Sequence, residues 1–172
     1  GNRLIIANNG IVQSGQQWGV DHSPAIDPLV ANRITVIKGV GAVEFQGSSL
    51  GSVVLVEPKK ISNEPHLHGH GRYFFESNGR GNGLNIELQK SSDILAWRIM
   101  GTVKKSGDKR APSYFLNNTG SQEAHLAIQL EKSWNSQWIS NVYLSSFNAD
   151  LGILRGSQIG NLTDLEEALE RY

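Results

Sequence analysis

The 172-residue chain lacks cysteine altogether and has no excess charge of either sign, with 16 Lys+Arg against 16 Asp+Glu. Without cysteine there can be no disulfide, no thiolate metal site and no sulfur nucleophile, although the compartment stays open. A balanced charge supplies no field to collect phosphates, and no local basic patch stands out along the chain, so nucleic acid is excluded as a partner. Long apolar runs are missing too. None approaches the roughly 18 residues of a membrane helix, which rules out helical spanning and leaves spanning by strands open. Helical periodicity is scarce except near the end of the sequence. What remains is 38% hydrophobic content, enough for a modest core, and 19 glycines, which imply many turns.

The apolar residues come in two grammars, and both read as mainly β with short helices. Up to about Lys60 the runs Leu4 to Ala7, Arg33 to Lys38 and Ser52 to Val56 are short, β-branched and unalternating, as in strands covered on both faces. Asn9-Gly10 marks a turn, and Asp27-Pro28 reads as an N-cap with proline at the first position of a short helix, Pro28 to Asn32. Pro58 and the polar residues up to Pro65 end this unit.

Beyond it the residues alternate. Leu84, Ile86 and Leu88 interleave with Asn85, Glu87 and Gln89; Trp97, Ile99 and Val103 with Arg98, Met100, Thr102 and Lys104; Leu126, Ile128 and Leu130 with His125, Ala127 and Gln129. Each strand therefore carries one apolar and one mostly hydrogen-bonding face. Two less regular strands are expected from about Leu67 to Ser77 and from Gln137 to Phe147. Lys90 to Asp93 and Ser133 to Ser136 read as tight turns, whereas Ser106 to Gln122 and Asn148 to Tyr172 are long. Short turns at one end and long loops at the other fit an outer-membrane barrel, while the alternation alone fits a soluble sandwich or lipocalin-like barrel equally well. Thr163 followed by Glu166 suggests a capping box on a short terminal helix.

Few residues suggest chemistry. His66, His68 and His70, at a spacing of two, would share one face of a strand, where neutral imidazoles make a candidate metal site; with Glu76 and Gly83 they loosely follow a cupin pattern. The same face could instead line a polar lumen. Arg33, Lys38, Arg98 and Lys104 are candidates for ion pairs between the first unit and the strands that follow. No Ser-His-Asp context, phosphate-cradling loop or defensible carboxylate pair is present, which argues against an enzyme. Glycines 79, 81 and 83 join two strands and precede no helix, so they read as a turn.

The stretch from Val30 to Val56 resembles the second half of the plug domain of TonB-dependent outer-membrane receptors, with Asn32 to Gly39, Phe45 to Ser48 and Leu50 to Val56 standing for the family's "ERIEVIKG", "YGS" and "GGVVNI" elements. Leu4 to Val12 and Asp21 to Pro28 are similar to plug segments that precede it. Ala96 to Arg98, Lys105 to Asp108, Arg110 to Pro112, Asn118 to Gly120, Leu151 to Arg155 and Gly160 to Leu165 are similar to Bacteroidetes-type members. The resemblance implies a fragment of such a receptor: the C-terminal part of the plug (1–60), a linker (61–65), about five strands of a 22-stranded barrel (66–147), and the start of a long extracellular loop with a short helix (148–172). It further implies a Gram-negative outer-membrane location, energy-coupled uptake of a ferric siderophore, metal chelate or vitamin, and a periplasmic energy-coupling protein as partner. No intrinsic cofactor is implied; a metal would travel as part of the ligand. Gln17, Trp18, Asp21 and His22 fall on the plug loop that helps form the ligand floor, with His66, His68 and His70 as the candidate metal ligands. Five strands cannot close, so an isolated fragment is expected to self-associate through its edges. A cupin-like metal-binding protein or enzyme and a soluble carbohydrate-binding β-sandwich are the alternatives.

Overall fold

The computed structural model describes residues 4–13, 26–45, 51–135, 137–154 and 160–170, with the backbone alone at 167–170. Its first unit is a four-stranded sheet of β1 (Leu4–Asn8), β2 (Ile11–Val12), β3 (Ala31–Lys38) and β4 (Ser52–Pro58), in the order β2-β1-β4-β3. The Asn9-Gly10 turn between β1 and β2 has φ of 50° and 78°, the two positive angles that a two-residue hairpin of matching twist requires. Strand β1 runs parallel to β4, from Leu4 beside Ser52 to Asn8 beside Val56, and β3 pairs antiparallel with β4 across a bulge between Ala31 and Arg33.

In β1 and β4 the unalternating runs are explained by burial on both sides; the run in β3 departs from that expectation, because β3 is an edge strand whose Ile34 and Val36 are 53% and 54% exposed. Ile5 and Val53 pack with Ala42 from the 3-10 turn Gly39–Glu44, while Ile6 and Val56 face the other way with Val30. Asp27 caps the short helix as expected, its Oδ1 accepting the Leu29 N–H at 3.1 Å. The helix itself is a single 3-10 turn, Pro28–Val30, shorter than the expected Pro28 to Asn32, because Ala31 and Asn32 are drawn into β3.

The second unit is an antiparallel meander of β5 (Leu67–Glu76), β6 (Gly81–Lys90), β7 (Ala96–Ser106), β10 (Ser121–Ser133) and β11 (Ile139–Leu151), in the order β11-β10-β7-β6-β5. Strand β11 continues to Leu151, past the Phe147 at which its alternation fades. The long connection after β7 folds into a hairpin of β8 (Lys109–Arg110) and β9 (Phe115–Leu116). Not every connection at that end is long: β5 and β6 are joined by Ser77 to Arg80, and this turn is tied to the hairpin by Gly107 N–H to Gly79 O at 2.8 Å and by Arg110 N–H to Asn78 Oδ1 at 2.7 Å. At the opposite end the connections β6–β7 and β10–β11 are short.

Helix α1 (Leu162–Glu170) begins two residues earlier than a Thr163 cap would set it. Asn161 is the cap, its Oδ1 accepting the Asp164 N–H at 2.9 Å while Asp164 Oδ2 accepts the Gly160 N–H at 3.0 Å. The reciprocal logic of a capping box is kept, with Asn and Asp in place of Thr and Glu.

Candidate functional site

The faces of the second sheet are inverted relative to a water-soluble protein. On β6, Asn85, Glu87 and Gln89 are buried, whereas Leu84, Ile86 and Leu88 are 40%, 47% and 42% exposed. On β7, Arg98, Met100 and Thr102 point inward and Ile99 and Val103 outward; on β10, His125, Ala127 and Gln129 point inward and Leu126 outward. What covers the polar face is the first sheet. Ile6, Val30 and Val56 from it meet Met100 and Ala127 from the second, with Ile26, Ala31, Val54 and Tyr143 at the margin. A small apolar contact is thus set inside a largely polar seam.

Around that contact several polar groups are paired across strands or across the seam, although Gln89 Oε1 and the Nε and Nη1 of Arg98 have no hydrogen-bond partner among the described residues. Lys104 Nζ sits 3.1 Å from Glu123 Oε2 on the neighbouring strand and 3.8 Å from Asp27 Oδ1 on the first unit. Glu123 Oε2 also meets His125 Nε2 at 2.9 Å, and the His125 ring stacks on Phe147 with centroids 4.1 Å apart. Toward the short-turn end, the fully buried Arg98 donates to Gln129 Oε1 at 2.6 Å, Gln129 Nε2 donates to Glu131 Oε1 at 2.7 Å, and Asn141 donates to the same oxygen at 3.1 Å. Asn8 Nδ2 reaches Tyr143 Oη at 3.3 Å.

Two solved structures share this architecture. The copper transporter OprC matches with a TM-score of 0.73 at 15% identity, over 88% of this chain and 23% of that one. The siderophore receptor PirA from Pseudomonas aeruginosa matches with a TM-score of 0.63 at 18% identity, over 86% of this chain and 26% of that one. The fold is a plug seated on a barrel wall. This chain spans about a quarter of the length of each of those proteins. No protein-family model and no curated protein matches the sequence.

The expected site residues distribute unevenly over plug and wall. Gln17, Trp18, Asp21 and His22 lie outside the described residues. His68 and His70 stand on the plug-facing side of β5, opposite Gln89 and Glu87, at the short-turn end of the wall. His66 precedes the strand, its ring 6.5 Å from that of His68 in an edge-on arrangement. Glu64 Oε2 comes to 3.0 Å from His68 Nε2, out of line for a hydrogen bond. Among the described residues no three His, Asp or Glu side chains are grouped to hold a metal ion. Of the four cations considered for plug-to-wall pairs, Lys104 makes one. Arg33 instead grips Glu57 within the plug through two hydrogen bonds of 2.7 and 3.0 Å, which hold the Glu57 carboxyl below its ordinary range. Arg98 pairs within the wall. Sequence reasoning did not single out Asp27 as the plug partner of Lys104, nor His125 beside it; the inward parity of Lys104 on β7 was the one available signal.

Proposed function

We propose that this chain is part of a TonB-dependent outer-membrane receptor, comprising the C-terminal part of the plug and the first strands of the barrel. The observation that carries the reading is the polarity of β6: buried Asn85, Glu87 and Gln89 alternate with exposed Leu84, Ile86 and Leu88. Such a strand suits hydrocarbon outside and a hydrated plug inside. In a soluble carbohydrate-binding sandwich the residues facing a second sheet would be apolar and the solvent face polar, the reverse of this pattern. The sequence similarity of the loop segments to Bacteroidetes-type members supports placing it in that branch.

On this reading the function is non-enzymatic, energy-coupled uptake of a scarce ligand such as a ferric siderophore, another metal chelate or a vitamin. Ligand binds between the plug apex, which includes the loop of Gln17, Trp18, Asp21 and His22, and the extracellular loops. A periplasmic energy-coupling protein then supplies the work that loosens the plug, because a tightly held ligand leaves slowly unless its site is changed. The five strands have two open edges at β5 and β11. Since unpaired backbone groups are costly in lipid, the chain taken alone should pair those edges with another copy.

Two measurements test this. In a Gram-negative host, deletion of the parent gene should abolish uptake of one chelate under metal limitation, as should loss of the energy-coupling protein, with the product in the outer-membrane fraction. A soluble monomer whose β5 and β11 amides exchange freely, with uptake unaffected by the deletion, would defeat the proposal.

A further inference from the structure

The outward face of the wall ends in a polar row toward the long loops. Asn82, Lys105 and Gln122 stand side by side in register on β6, β7 and β10, all three exposed. Directly beneath them, also facing out, come Leu84, Val103 and Ala124. Along β6 the outward face stays apolar through Ile86 and Leu88 until Lys90. At about 3.4 Å per residue and a tilt of about 40°, Asn82 and Lys90 lie roughly 20 Å apart in depth, close to the height of the apolar band of an outer-membrane barrel. Lys105 is thus a cation at the level where hydrocarbon gives way to headgroups.

Beneath this row the outer face has a groove of about 350 Å³, lined by Tyr73, Leu84, Val103 and Ala124, with Lys105 and Gln122 at its upper edge. Tyr73 forms a fixed side of it: its hydroxyl donates to Asn82 Oδ1 at 2.5 Å, while Asn82 Nδ2 donates to the Arg80 carbonyl at 3.0 Å. Strands β6 and β7, which carry the floor, are paired on both sides, so the groove lies within the sheet and not at an open edge. What is left open chemically is the top. Among the described residues Lys105 makes no ion pair and the Gln122 amide no hydrogen bond, whereas Lys104, one residue back and facing inward, is held by Glu123. The acid in the same row, Asp150, is two strands from Lys105, roughly 10 Å at sheet spacing. An ammonium and an amide N–H side by side suit the oxygens of a phosphate, and the apolar floor suits an acyl chain running from it into the bilayer. Free phosphate would use only the top of this site, and a neutral lipid only the floor.

We propose that this groove seats one anionic membrane lipid, its phosphate on Lys105 and Gln122 and an acyl chain along Leu84, Val103 and Ala124 against Tyr73. The inference rests on the receptor reading, which puts this face in lipid, and adds to it a position at which a single lipid is held.

The probe is dimyristoylphosphatidylglycerol, offered to the full chain in dodecyl maltoside micelles and counted per chain by native mass spectrometry. The expected result is one retained lipid at low lipid excess, with dimyristoylphosphatidylcholine, of equal chain length and no net charge, retained less, and inorganic phosphate failing to displace the bound lipid. Lys105→Gln should weaken retention about fivefold, the contribution of one basic residue near an anionic surface. Ala124→Leu keeps the charge but fills the groove, and should weaken retention as well; both positions are exposed, where substitutions scarcely affect folding. Lys90→Gln, which removes a cation from the opposite rim of the same face, should change nothing. Equal retention of the two lipids, displacement by phosphate, unaltered retention in Ala124→Leu, or a loss in Lys90→Gln as large as in Lys105→Gln would overturn the proposal. Uptake decides the receptor reading separately: failure of these lipid tests, with uptake still dependent on the gene, removes the site and leaves that reading standing.

Discussion

The ring of Phe74 lies directly over Gly83 on the plug-facing side of the wall, occupying the space that a side chain on Gly83 would fill. The two residues are opposite each other in the β5–β6 ladder, so the glycine is what allows the tip of an aromatic ring to reach over its neighbour strand. Substituting Gly83→Val must push Phe74 off its rotamer, an overpacking that typically costs 1–3 kcal/mol. Phe74→Ala on the same background should recover part of that loss, since the clash is gone. Urea unfolding in detergent of the two single variants and the double variant checks this. Strictly additive losses would mean that the ring and the valine never compete for space.

A second prediction concerns the tie between the long loop and its own base. Asp108 Oδ1 accepts the backbone N–H groups of Thr119 and Gly120 at 2.7 and 2.9 Å, and these bonds hold its carboxyl below the ordinary Asp value. A depressed carboxyl contributes fully above its unfolded-state pKa, and that contribution is lost as pH falls through the lower, folded value. The window therefore lies below about pH 4. Hydrogen exchange at Thr119 and Gly120, corrected for intrinsic rates, should show protection at pH 6 that declines on acidification toward pH 3. Asp108→Asn should lose the pH dependence; if the variant retains it, another group controls the loop.

Lys104 stands between carboxylates of plug and wall, and its removal should be felt by both. Lys104→Met leaves Asp27 and Glu123 facing each other without a cation, and loss of one partner of a buried ion pair costs roughly 3–5 kcal/mol, less here because Lys104 and Glu123 side chains keep 21% of their exposure. We expect a loss of about 2 kcal/mol, near the middle of the range for an orphaned buried polar group. In the double variant Lys104→Met, Asp27→Asn, part of that loss should return. Chemical denaturation of the set measures the coupling, and a Lys104→Met protein as stable as wild type would show that the pair contributes nothing across the seam.

Much of this fold was legible in the sequence because period-two alternation is a local property: each of β6, β7 and β10 announces its two faces without reference to its neighbours. The Asn9-Gly10 turn and the Asp27-Pro28 cap were legible for the same reason, since a backbone angle or a single capping bond depends on adjacent residues. Where expectation and structure part, a longer-range partner decided. Ala31 and Asn32 leave the helix because Pro58 and Glu57 draw the chain into a ladder, and the cap of α1 moves to Asn161 because Asp164 is positioned to reach back. The seam was the least legible feature. Nothing in the spacing of Asp27, Lys104, Glu123 and His125 indicates that they converge, because the convergence is made by packing two sheets and not by either alone. The histidines at 66, 68 and 70 show the complementary limit: parity places them on one face, but grouping into a ligand set depends on side-chain approach that parity does not determine.

The outward face of the wall offers the sharpest contrast between a membrane protein and a soluble one. Ile86 lies in the middle of β6, 47% exposed, between Leu84 and Leu88 on the same face. In water, an exposed isoleucine can become lysine at a cost within about 0.5 kcal/mol. At the midplane of a bilayer the same change on the lipid face of a barrel costs about 2–4 kcal/mol, because the ammonium must leave water or drag it in. Asn85→Lys is not a useful control, since its side chain is buried against Thr102. A better one is Lys90→Arg at the strand's end, where charge is already tolerated. Folding of the Ile86→Lys and Lys90→Arg variants into lipid vesicles should separate the two by at least 2 kcal/mol at the low end of the membrane range. Equal folding energies would mean that this face meets water, and the inverted polarity of the wall would then need a different origin.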